Sequence, residues 1–178
     1  LLSLDGAKDN HNNIRGDTYD KIINNIRNAT SDNICLYMAI NKINFNDIEE
    51  VSRVSREQKN IRAVSFNFHT PYPDTEYLSL SVEEKKNACV RIESLIKKGY
   101  PVFNLKTAFK YIINNSFRTP CYQCLVVENG IQYTCGRCVD IEGLCEKCGY
   151  FFAAEYAMVF DGKVSVIIDM LRTYLKYI

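Results

Sequence analysis

A chain of 178 residues, 47% of them apolar, is long enough for one ordinary domain with a small appended module. Its 22 basic and 21 acidic side chains leave a net charge of +1, which gives no broad positive field for gathering nucleic acid. No apolar stretch reaches membrane-spanning length, and the start lacks the basic-then-apolar order of a signal peptide. Of the 8 cysteines, six fall in three C-x-x-C pairs, a spacing of metal ligands more than of structural disulfides. A reducing, cytoplasmic setting is therefore expected, with three redox dithiols as the plainer alternative.

The chain opens directly on the apolar run Leu1-Leu2-Ser3-Leu4, which reads as a buried strand ended by Asp5-Gly6 and as the start of a fragment whose first half is absent. A polar loop follows. Tyr19, Ile22, Ile23 and Ile26 then share one face of a helix over 17–28, with Asp17 or Thr18 as its cap. The continuous apolar run from Ile34 to Ile40 suits a strand covered on both faces, as in a parallel sheet. Asn46 is placed to cap a helix carrying Ile48, Val51 and Val54, with Glu49 at the capping-box position. A third strand is expected over 63–68. Ser81-Val-Glu-Glu84 is a capping box that starts a helix running to Lys98, where Gly99 and Pro101 stop it. Cys89, Ile92, Leu95 and Ile96 form its apolar stripe. A short strand at 101–103 and a helix from Leu105 to about Asn114 complete a strand–helix alternation, which predicts a parallel sheet with crossover helices. Pro120 marks a boundary. Beyond the cysteine-rich loops, a strand is expected at 156–160, a turn at Asp161-Gly162 and a closing helix over 166–177.

The cysteine spacing is Cys121-x2-Cys124, ten residues, Cys135-x2-Cys138, six residues, Cys145-x2-Cys148. A C-x-x-C pair brings two thiolates onto one centre without straining the intervening backbone, and Gly136 and Gly149 let nearby amides turn towards sulfur. Four thiolates suit tetrahedral zinc and also a cubane iron–sulfur cluster; the C-x2-C-x10-C-x2-C spacing is ribbon-like and by itself favours zinc, and six thiolates exceed one closed site. Cys35, inside a strand, and Cys89, on a helix core face, read as small core residues.

In a parallel α/β sheet ligands bind at the carboxyl ends of strands, so Ser3, Asp5 and Arg15 lie where a site is expected, and Arg15 offers a bidentate fork for a carboxylate. The order S-L-D-G, H-x-x-I-R-G, a buried strand ending Ile40-Asn41-Lys42-x-Asn44 and a cysteine-rich tail resembles the radical SAM enzymes, and among them those with a carboxy-terminal auxiliary-cluster extension of the SPASM kind. The resemblance covers nearly the whole chain. It implies a partial (β/α)6 TIM-type barrel, of which 1–118 would be the carboxy-terminal half, followed by an auxiliary metal domain over 119–178 with its closing helix. It further implies a [4Fe–4S] cluster that reductively cleaves S-adenosylmethionine to a 5′-deoxyadenosyl radical, which abstracts hydrogen from substrate. By the same resemblance Ser3, Asp5, Arg15, Asn41 and His69 would line the cofactor pocket. Ser3 and Arg15 would contact the ribose or the methionyl carboxylate, Asn41 would sit beside them, and the strand end at Asn67–Pro71 would border the adenine or the substrate. Cys121, Cys124, Cys135, Cys138, Cys145 and Cys148 would hold the auxiliary cluster. The family's Cys-x3-Cys-x2-Cys loop and glycine-rich strand are not in this chain and would precede Leu1, so the chain as given is not expected to run the radical reaction. Expected partners are a small-molecule or peptide substrate and a reducing electron donor such as a flavodoxin or ferredoxin, with no membrane. The competing expectation is a non-catalytic zinc-ribbon-like module for protein or nucleic-acid contacts.

His11, in the polar loop, reads as a helix-entry or loop hydrogen-bonder. His69, at a strand end, reads equally as a substrate contact or a structural hydrogen bond. Phe151-Phe152 is expected to pack the metal loop onto the barrel and not to form a stacking platform for bases.

Overall fold

The computed structural model describes residues 1–119, 125–135 and 141–177 of the chain. They form a mixed α/β fold around a three-stranded parallel sheet in the order β1 (Leu2–Ser3), β2 (Ile34–Ile40), β3 (Ile61–Phe68). The sheet is open, and the described strands do not close into a barrel. The segment expected as a fourth strand makes a single parallel bridge, Val64 to Val102. No helix among the described residues is long and apolar enough to cross a membrane.

Strand period decides what each face does. Leu36, Met38 and Ile40 of β2, with Val64, Phe66 and Phe68 of β3, point to one side and are buried with Ile26, Val51 and Ile92 in the main core. Those last three lie on α2 (Tyr19–Arg27), α3 (Ile48–Glu57) and α4 (Val82–Lys97). The other side carries Ser3, Cys35, Tyr37, Ser65 and Asn67 and opens onto a cavity. The expectation that β2 is covered on both faces is therefore corrected. An apolar run records how hydrophobic a strand is, and alternate residues of β2 are half-buried.

Helix α4 begins as the sequence predicts. The Ser81 hydroxyl accepts from the Glu84 N–H, and the Glu84 carboxylate accepts from the Ser81 N–H. Other local expectations change. The polar loop after β1 is a helix, α1 (Lys8–Arg15), with no apolar stripe to announce it. Tertiary hydrogen bonds hold it instead: Asn10 Nδ2 donates to Asp47 Oδ2 at 2.7 Å, and Asn12 Oδ1 accepts from the Tyr19 N–H at 3.0 Å. That carboxylate of Asp47 also accepts from the Ala7 N–H, so the chain enters α3 through a 3-10 turn at Phe45–Asp47. Asn46 does not cap α3, and Glu49 pairs with Arg91 of α4. Thr18 precedes α2 without a side-chain cap bond.

After a 3-10 turn at Lys106–Ala108 and the short α5 (Phe109–Ile113), the cysteine-rich segment contains an antiparallel hairpin where only loops were expected. Its strands are β4 (Leu125–Glu128) and β5 (Ile131–Thr134). Asn129 and Gly130 join them at φ 52° and 77°, the left-handed pair of a tight hairpin turn. The strand expected at 156–160 is a helix, α6 (Phe151–Phe160). Its ten residues are apolar on almost every side, which hides the helical period, while Ala153, Ala154 and Ala157 favour helix. The last helix, α7 (Val164–Tyr174), packs with α6 through Val166, Ala157 and Met158.

Candidate functional site

The carboxyl end of β1 builds a polar corner. Gly6, at φ 122°, turns the chain from β1 towards α1, and a Cβ there would meet Asp47 Oδ2 at 2.5 Å. Asp5 is buried; its Oδ1 accepts from the Ala39 N–H at 2.8 Å, and its Oδ2 accepts from Arg15 Nε. His11, also fully buried, accepts from the Asp5 N–H at Nδ1 (3.0 Å) and meets Thr18 Oγ1 through Nε2 (3.1 Å). Acceptance at Nδ1 requires the neutral ring, and burial, aided by Arg15 and opposed by Asp5, holds its pKa below the ordinary histidine value. The Arg15 side chain is half-exposed, and its two Nη atoms make no hydrogen bond among the described residues.

Asn41 and Asn44 close the end of β2. The Asn41 carboxamide oxygen accepts from the Ile43 and Asn44 N–H groups, and Asn44 Oδ1 accepts from the Asn41 N–H at 2.8 Å. Asn44 Nδ2 donates to the carbonyls of Asp5 (3.2 Å) and Ala39 (3.0 Å), locking the β1 and β2 ends together.

At the end of β3 the last cysteine pair is fastened to the sheet. Cys145 and Cys148 share one 3-10 turn, in which the Cys148 N–H donates to the Cys145 carbonyl at 3.3 Å. The Gly149 carbonyl accepts from the Phe68 N–H at 2.8 Å, and its N–H donates to Thr70 Oγ1 at 3.0 Å. The Phe151 N–H donates to Asn67 Oδ1 at 2.6 Å. Asn115 Nδ2 donates to the Cys148 carbonyl at 2.6 Å and its Oδ1 accepts from Lys85 Nζ at 3.0 Å. Burial pushes the Lys85 pKa down, and the Cys148 and Cys89 thiols oppose that shift. Lys85 also lies 5.6 Å over the Phe68 ring. Cys135 follows β5 directly, at φ 45°. Cys121, Cys124 and Cys138 lie outside the described residues. Among the described residues no group of three or more His, Cys, Asp or Glu side chains converges as a metal site.

The open face of the sheet forms the third part, a cavity of about 680 Å³ reached by Ser3, Tyr37 and Asn67 from the strands and by Tyr150, Phe152 and Glu155 from the α6 side. Burial raises the Tyr37 hydroxyl pKa well above its ordinary value, with Tyr150 and Asp5 adding to the shift and Arg15 opposing it. Glu155 is 3% exposed and accepts from the Leu105 N–H at 2.9 Å. Burial pushes its carboxyl up to about 7; the Leu105 N–H and Asn104 oppose the shift, and Asp169 adds to it.

That shift has a sign. The unfolded chain releases this proton near 4.5 and the folded chain keeps it to about 7, so the native state holds the extra proton between those values. Stability is then expected to fall as pH rises across that window, by up to about 1.4 kcal/mol per pH unit. The low-pKa histidines His11 and His69 act in the opposite direction. Urea unfolding of wild type and Glu155→Gln at about pH 5 and about pH 7.5 isolates the carboxyl, because only the difference between the two proteins reports it.

The structure therefore gathers Asp5, Arg15 and Asn41 at one corner, with Ser3 on the cavity wall. His69 stands apart on the loop after β3, its Nε2 bonded to the carbonyl (3.1 Å) and hydroxyl (3.0 Å) of Thr75. Asp5 and Asn41 spend their side-chain oxygens inside the protein, which leaves Arg15 and Ser3 as the members able to meet a ligand. Sequence reasoning passed over Glu155, Lys85 and Tyr37. A single carboxylate inside an apolar run of ten residues was the signal for Glu155, since burial of an acid demands a reason. Compared with known proteins, the chain matches no family model, no curated protein and no solved structure.

Proposed function

We propose that this chain is the carboxy-terminal part of a radical SAM enzyme, an arc of a partial (β/α)6 barrel followed by an auxiliary metal module. One observation carries the reading. The S-L-D-G and R-G elements meet in three dimensions, where Asp5 grips Arg15 through Nε at the carboxyl end of a parallel strand and leaves its Nη pair for a carboxylate. A parallel sheet with one face packed on α2, α3 and α4 and the other carrying Ser3, Tyr37, Ser65 and Asn67 into an open cavity is the expected form of such an arc. Bound S-adenosylmethionine and a reduced [4Fe–4S] cluster supply one-electron chemistry ending in hydrogen abstraction from substrate. The chain's own residues bind and orient: Arg15 takes the methionyl carboxylate, Ser3 faces the ribose, and Asn41 holds the β2 end in shape. The three cysteine pairs supply soft thiolates suited to an auxiliary iron–sulfur site, and Cys148 sits at the same end of the sheet.

A second reading has its own observation. Hairpin β4–β5 lies between the first two cysteine pairs, as in a zinc ribbon, and exposes Leu125, Val127 and Ile131. In that reading the cysteines hold zinc and the hairpin contacts another macromolecule.

Anaerobic reconstitution with iron and sulfide, followed by calorimetric titration with S-adenosylmethionine, separates them. The first reading expects a brown protein containing iron and acid-labile sulfide that binds the cofactor. Arg15→Ala should weaken that binding about ten-fold or more, the scale of a lost charge-assisted hydrogen-bond pair. A colourless protein with stoichiometric zinc and no cofactor binding would replace the first reading with the second.

A further inference from the structure

We propose that the cavity on the open face of the sheet binds a small molecule with an aromatic or apolar body and a protonated amine, the ammonium seated against Glu155.

Size, wall and charge each narrow the class. A volume of about 680 Å³ lies in the range that encloses a small organic ligand. Beyond the sheet wall of Ala63 and Ser65, the lining is dominated by rings: Tyr37, Phe103, Tyr150, Phe152, Tyr156 and Tyr174. Aromatic faces attract cations as well as apolar groups, because the ring face carries negative electrostatic potential. Among the described residues two charged side chains reach the cavity, Arg62 and Glu155. Arg62 is hydrogen-bonded within the wall: Nη1 donates to Asn33 Oδ1 at 2.7 Å and Nη2 to the Tyr177 carbonyl. Glu155 holds the Leu105 N–H and has no cation among its described neighbours. The groups that act on it from the elements around it are Asn104, the Leu105 N–H, and Asp169 and Tyr174 of α7, and none of these described groups is cationic. A buried carboxyl walled by rings is complementary to an ammonium group on an apolar frame.

Binding then has a proton balance. Near neutral pH part of the Glu155 population is protonated, and an arriving ammonium favours the carboxylate, so its proton leaves to solvent. Under the reading above the ligand is the substrate. The cavity argument uses neither the metal nor S-adenosylmethionine, so its failure and the failure of that reading are separable.

The test uses the full chain without added iron or S-adenosylmethionine, and two probes of one shape, phenethylamine and its neutral counterpart 2-phenylethanol. Calorimetry at about pH 7 is expected to show the amine binding about ten-fold or more tightly. Its heat should depend on the ionisation enthalpy of the buffer, the mark of proton release. Glu155→Gln keeps an acceptor for the Leu105 N–H and should abolish both the preference and the proton release. A purely structural Glu155 would change the melting temperature and leave the preference intact. Should that variant fail to fold, Ser65→Phe, which fills the cavity from β3, is expected to remove amine binding. Equal binding of the two probes, binding of neither, an amine preference that survives in a folded Glu155→Gln, or amine binding that survives Ser65→Phe would overturn the proposal.

Discussion

Replacing Gly149 with alanine is expected to lower the urea midpoint of unfolding by an amount equivalent to about 3 kcal/mol or more. A Cβ at this position would fall inside the contact radius of the Phe68 carbonyl oxygen, 2.7 Å from the Phe68 carbonyl carbon and 3.0 Å from the His69 carbonyl oxygen. All three obstacles are main-chain atoms at the end of β3, so no side-chain rotation relieves them. The segment must back away from the strand, which breaks the Phe68–Gly149 and Gly149–Thr70 hydrogen bonds, each contributing about 1 kcal/mol. Gly162→Ala provides the comparison. That glycine lies at φ 68° with open space around its missing side chain, so its substitution should cost only about 1 kcal/mol. Equal midpoints for the two variants would remove the close approach as the reason for glycine at position 149.

Phe151→Ala carries the second large effect, about 3 to 5 kcal/mol of lost stability. The Phe151 ring is 2% exposed and packs edge-on to Phe68 of β3 at 4.7 Å and to Phe109 of α5 at 5.7 Å. Truncation empties the place where α6 meets the sheet, and the close-packed interior around β3 cannot collapse into it cheaply. Phe152, the next residue, is 41% exposed and lines the cavity, so Phe152→Ala should cost under about 1 kcal/mol. The pair distinguishes a core anchor from a binding wall: the first substitution should depress stability, the second amine affinity. Indistinguishable unfolding curves for the two would show that α6 is held by something other than Phe151.

Where a signal is local, the sequence reveals the structure well. The Ser81–Glu84 capping box sits within one turn, and it reappears atom for atom. Strand β2 spans the whole apolar run from Ile34 to Ile40. Helix α1 could not be seen that way, because what stabilises it comes from elsewhere in the chain: a carboxylate 37 residues from Asn10, and a fully buried imidazole in place of an apolar stripe. Helix α6 failed for the opposite reason, since apolar residues on nearly every side leave no periodicity to read. The hairpin was legible in the Asn129-Gly130 pair between two β-rich quartets, a turn signal overshadowed by the cysteines beside it. At the site, the motif located the corner, while its internal pairing of Asp5 with Arg15 and Ala39 depended on how β1 and β2 come together.

Cys148, Gly149, Tyr150 and Phe151 are consecutive, so the proposed metal ligand, a main-chain clamp, a cavity ring and a core anchor occupy a single strap of peptide. An ion held by the Cys148 sulfur would therefore bear on the same strap of peptide that supplies Tyr150 to the cavity wall. Any coupling between the two occupants is mutual: the factor by which the ion changes the ligand's affinity is the factor by which the ligand changes the ion's.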